Sequence, residues 1–83
     1  MYKELLEIPS SHSFIRTDMK WDIGKETDID TFWYDEKDLT GSIIAKYVVK
    51  VTKFIYPPER SQICYQKFTP DNLSLLSTGE LKQ

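Results

Sequence analysis

The chain has 83 residues, 40% hydrophobic and 13% aromatic, with a formal net charge of −2 and one cysteine. That composition excludes a disordered chain, and the lone Cys64 excludes an internal disulfide framework. A domain this small buries only about 60–65% of the surface its unfolded form exposes, so its core is thin and a bound partner or second copy would add burial.

Residues 2–8, Tyr-Lys-Glu-Leu-Leu-Glu-Ile, fit a short helix stopped by Pro9, with Tyr2, Leu5 and Leu6 on one face; an edge strand fits them nearly as well. A serine-rich loop carries His12, the sole histidine, which reads as an exposed loop side chain. Phe14 to Ile23 alternates cleanly. Ile15, Thr17, Met19, Trp21 and Ile23 fall on one face and Arg16, Asp18, Lys20 and Asp22 on the other, which predicts a half-buried strand. Gly24 to Asp30 reads as an acid-rich loop. Thr31 to Asp35 then holds three successive aromatics, with Phe32 and Tyr34 on one side and Trp33 on the other. Asp35 to Gly41 reads as a hairpin connection.

The densest run of β-branched and aromatic residues is Ile43 to Tyr56, predicted as the long central strand. Its odd positions, Ile43 through Ile55, form a core face; its even positions mix Lys46, Val48, Lys50, Thr52, Phe54 and Tyr56. Pro57 and Pro58 break it, because neither can donate to a ladder. Gln62 to Phe68 returns as a strand, with Ile63 and Tyr65 opposite Cys64, Gln66 and Phe68. Thr69-Pro70-Asp71 resembles a helix start, with Leu73, Leu75 and Leu76 to dock it and Gly79 to stop it. The fold class expected is α+β, mostly β: one domain over residues 1–83, a single small antiparallel sheet of four or five strands with short terminal helices.

Charge is divided along the chain. Asp18 to Asp38 holds eight carboxylates against Lys20, Lys25 and Lys37, a local balance of −5, whereas Leu39 to Thr69 carries +4. Paired strands would let the halves neutralise each other; a bipolar surface would instead steer a charged partner.

No catalytic constellation stands out, and the chain is expected not to be an enzyme. One His and one Cys cannot furnish a zinc site, and Glu26, Asp28 and Asp30 lack the spacing of a calcium loop, so no metal or cofactor is expected. Glycine-rich phosphate loops are absent from the sequence. What remains is binding. The first reading is a small inhibitor or immunity-type protein that occludes a basic protein partner through Asp22, Asp28, Asp30, Trp33, Tyr34, Asp35, Glu36 and Asp38, since aromatics anchor interfaces and clustered acids attract basic surfaces. The alternative is a single-stranded nucleic-acid binder using Lys46, Lys50, Phe54 and Tyr56, cations and rings on one strand face. A homodimer through an exposed sheet edge is a third way to add burial. The first residues do not form a basic-then-apolar leader and no apolar run nears the ~18 residues of a membrane span, so the expectation is a soluble cytoplasmic protein without membrane contact, of the size and acidity of many small bacterial proteins.

Overall fold

A computed structural model describes residues 2–55 and 60–82. One helical turn, α1 (Tyr2–Leu5), precedes five strands: β1 (Ser13–Ile23), β2 (Thr27–Lys37), β3 (Ile43–Phe54), β4 (Arg60–Phe68) and β5 (Leu75–Leu81). They pair in chain order as an antiparallel meander, which places β3 at the centre, as its β-branched run predicts. The expected break at Pro57 and Pro58, and Tyr56 of the nucleic-acid reading, lie outside the described residues.

Pleating gives β3 its two characters. Ala45, Tyr47, Val49 and Val51 are buried, while Lys46, Val48, Lys50 and Thr52 alternate with them on the other face. The buried set does not extend to Ile43 or Ile55, both of which are exposed. Directly opposed residues share a face, so the register carries the core face outward from β3: Phe32 and Tyr34 lie against Val49 and Tyr47 on β2, Tyr65 and Ile63 against Val49 and Val51 on β4, and Leu81 against Ile63 on β5. Tyr2, Leu5 and Leu6 pack over the Val49, Val51, Ile63 and Leu81 cluster, and Ile8 continues the layer onto Ala45 and Tyr47.

The N-terminal segment therefore adopts the helical option, and its ending differs from the expected one. Glu7 stops it, two residues before Pro9, by taking a left-handed conformation at φ 57°. The Glu7 N–H donates to Glu4 O at 3.1 Å and the Ile8 N–H donates to Lys3 O at 3.0 Å, the paired bonds of a Schellman cap that turns Ile8 into the core. A non-glycine residue in this conformation costs about 1 kcal/mol. Glu7→Gly is expected to stabilise the fold by roughly that amount, seen as a rise in the urea midpoint with unchanged m-value.

Three expectations need correction. First, Thr27–Asp30 is not loop but the start of β2, so the loop contracts to Gly24, Lys25 and Glu26. Asp30 is tolerated there because the Lys53 ammonium lies 3.4 Å from it. Second, the alternation of β1 breaks at a bulge between Arg16 and Asp18. Phe14 and Arg16 consequently share the α1 side with Met19, Trp21 and Ile23, and Ile15 moves to the other; little of this strand is buried, with Trp21 at 60% exposure and Ile23 at 68%. Third, the predicted C-terminal helix is a tight turn followed by β5. Thr69 and Asp71 bond through their side chains, Asp71 Oδ1 accepts the Leu73 N–H at 3.0 Å, Thr69 Oγ1 accepts the Ser74 N–H at 3.2 Å, and Asn72 takes φ 63°. Helix caps and such turns use the same short polar side chains for the same purpose, so the local signal serves either. β4 decides the outcome by offering its open edge.

Candidate functional site

The sheet has two unlike faces. The face beneath α1 is the core side. The opposite face carries Trp33 and Asp35 on β2, Lys46, Val48 and Lys50 on β3, and Cys64 and Gln66 on β4, and no element among the described residues covers it. The total accessible surface, 5861 Å², exceeds the about 5200 Å² typical of a chain of this mass. We call it the open face.

The acidic and aromatic residues singled out in the sequence do not form one surface. Trp33, Asp35 and Asp22 lie on the open face. Asp28, Asp30, Tyr34 and Glu36 lie on the core side. Asp38 belongs to the β2–β3 turn, where its Oδ1 accepts the Thr40 N–H at 2.9 Å, the Thr40 hydroxyl at 2.6 Å and the Ser42 N–H at 3.1 Å. Those bonds, the hydroxyl's first, hold its carboxyl below the ordinary carboxylate range, and Gly41 at φ 86° closes the turn. Tyr34 is stacked on Phe14 with centroids 4.2 Å apart, a packing role. Asp28 Oδ1 is buried with no hydrogen-bond partner among the described residues.

Glu36 is a core group rather than a surface one. Only 4% exposed, it accepts the Tyr47 hydroxyl at 2.7 Å on Oε1, and Oε2 lies 2.5 Å from His12 Nδ1. His12 is thus not a free loop histidine. The turn after Pro9, closed by the His12 N–H on Pro9 O at 3.0 Å, folds it over the end of β2. Burial first, and then the bond to Glu36, push the Tyr47 phenol well above its ordinary value, keeping it a donor.

On the open face, Thr17, Asp18, Trp33, Asp35, Lys46 and Asn72 line a shallow depression of about 230 Å³. The bulge at Thr17 sets Asp18 directly opposite Trp33, and Thr17 Oγ1 donates to Trp33 O at 3.4 Å. Asp35 stands opposite Lys46, 3.7 Å from its ammonium. Asp18 beside the indole, with Asp35 shared with Lys46, suits a cationic side chain, which could lie on the ring and reach the Asp18 carboxylate. The alternation of β1 already places Asp18 on the face of Lys20 and Asp22; that it stands opposite Trp33 is set by the pairing register with β2, which one strand's sequence does not carry.

The basic-face residues are placed differently from a nucleic-acid platform. Lys46 is engaged by Asp35, and Phe54 is covered by the Arg60 guanidinium 4.7 Å from its centroid. Lys50 is exposed and without an ion-pair partner among the described residues. The remaining carboxylates, Asp18, Asp22 and Glu80, offset Lys20, Lys50 and Arg60 across the same face. Among the described residues no three His, Cys, Asp or Glu side chains gather as a metal site requires, and no helix is long and apolar enough to cross a membrane.

No family model, curated protein or solved structure matches this chain.

Proposed function

We propose that the chain is a protein-binding module that occludes its partner with the open face, seating a basic side chain of that partner in the depression at Trp33. The observation that carries this reading is Trp33 between Asp18 and Asp35 on a sheet face that no element among the described residues covers. A face of several strands suits occlusion, and a partly buried indole beside acids is a common composition of an interface anchor. An inhibitor or immunity-type role fits that geometry. The basic character of the partner now rests on Asp18, with Asp35 already shared with Lys46, rather than on all the acids of the first half.

The test is retention of proteins from the native host on immobilised chain at low salt. Proteins bound by the wild type should be lost on Trp33→Ala, with affinity reduced by about 30-fold, and retention by the wild type should weaken as salt rises. Equal retention by both forms removes the reading. Mixed oligonucleotides added in the same assay examine the alternative: salt-sensitive binding that depends on Lys50 and survives Trp33→Ala would favour a nucleic acid instead.

A further inference from the structure

A second surface is independent of the open face. β1 is an edge strand, and its C-terminal half presents both unpaired backbone and uncovered apolar side chains. The Gly24 N–H donates to Thr27 O at 2.7 Å, which makes that a hydrogen-bonded pair and fixes the alternation along the ladder. Asp22 and Lys20 then bond to β2, while Ile23, Trp21 and Met19 turn their N–H and C=O groups away from the sheet. The same three side chains lie on the α1 side beyond the reach of α1, at 68%, 60% and 47% exposure. No bulge, proline or covering loop among the described residues protects the stretch Met19 to Ile23.

We propose that this edge pairs with the same edge of a second copy, antiparallel about a two-fold axis at Trp21, making one sheet continuous through both chains. The outward backbone groups restrict the register to those that oppose Met19, Trp21 and Ile23 with one another. Centring the axis on Trp21 sets Trp21 against its own copy and Met19 against Ile23, uniting the exposed apolar side chains of both chains on one side. On the other side it sets each Lys20 against the Asp22 of the second copy. These fall in non-hydrogen-bonded pairs, where side chains stand closest.

Competing registers are worse. Centring on Lys20 opposes Lys20 to itself and Asp18 to Asp22, like charges at both positions. Centring on Met19 restores opposite charges but drives the pairing into the bulge at Thr17, where the ladder is interrupted. The Lys20 and Asp22 groups already lie 3.7 Å apart within one chain, so the pairing completes a four-charge square of alternating sign.

Sedimentation at about 1 mM chain tests the proposal. The wild type should be dimeric and Asp22→Lys about 10-fold or more weaker, because it opposes two lysines at each of two symmetric positions. The exchanged variant, Lys20→Asp with Asp22→Lys, restores opposite signs and should recover the dimer. It also guards against misfolding as the cause of any loss. In a Cys64→Ser background, Trp21→Cys should crosslink to its own copy under mild oxidation, since hydrogen-bonded pairs hold Cα atoms about 5.5 Å apart. A monomeric wild type, a dimer undisturbed by Asp22→Lys, or an exchanged variant that stays monomeric while folded would each overturn the assignment.

Discussion

Glu36→Ala is expected to lower the stability of the fold by about 3 kcal/mol and its melting temperature by roughly 12–24 °C. An 83-residue domain has only about 4–12 kcal/mol to lose, so the variant should stand at the margin of folding. Two effects add. The Tyr47 hydroxyl loses its acceptor in the core, and the space beside Ala45, directly opposite Glu36, is left without atoms to fill it. His12 suffers less, because it is partly exposed and can turn to water. Tyr47→Phe should cost about 2 kcal/mol, leaving the buried carboxylate with His12 alone. A melting temperature for Glu36→Ala within a few degrees of wild type would show that the carboxylate contributes nothing net.

The same pair sets the alkaline limit. Tyr47 titrates above its unfolded value of 10.0 in the native state, so its contribution is complete below that pH and declines as pH rises beyond it. Tyr2 and Tyr34 are shifted upward too, chiefly by burial. Urea midpoints measured from pH 9 to 12 should fall for the wild type and fall less steeply for Tyr47→Phe.

Gly79→Val is expected to destabilise the protein by about 1.5 kcal/mol, although valine is the better strand former. Gly79 lies directly opposite Tyr65, and a Cβ there would meet the ring at 3.2 Å from Cε1 and 3.6 Å from the hydroxyl. The ring cannot simply retreat. It packs against the Val49 cluster and its hydroxyl lies 2.9 Å from Ser77 Oγ. Gly79→Ala asks for a smaller displacement and recovers part of the backbone entropy that glycine loses on folding, so it should be close to neutral. If valine were tolerated as well as alanine in thermal melts, the ring would have to be free to move, and the close packing of Tyr65 would be refuted.

How much of this was legible in the sequence depended on how far each signal travels. The core face of β3 is read correctly from Ala45 to Val51, because a central strand has period-two burial from its neighbours and nothing local to disturb it. The division of Phe32 and Tyr34 from Trp33, and of Ile63 and Tyr65 from Cys64, follows from the same rule. β1 fails at Thr17, since one extra residue reverses every assignment before it. Thr27–Asp30 and Leu75–Leu81 are poor strand sequences by composition, yet each is carried by a neighbour whose backbone needs pairing. The link from Glu36 to His12 and Tyr47 joins segments far apart in the chain, and no local pattern announces it. For the candidate site, Trp33 and Asp35 were legible as residues of interest, whereas their separation from Asp28, Asp30 and Glu36 required the pleat and register.

Each strand after β1 pairs with its immediate predecessor, so the sheet can assemble hairpin by hairpin as the chain emerges. The lid over its core cannot. Leu5 and Leu6 leave the ribosome well before Leu81, which belongs to the cluster they cover. Until β5 arrives the opening segment has only part of its docking surface, and a single helical turn has no stability of its own. Until β5 has emerged the growing sheet therefore exposes Val49 and Ile63 along with its unpaired leading edge, and the core is sealed only once Leu81 has paired with Ile63.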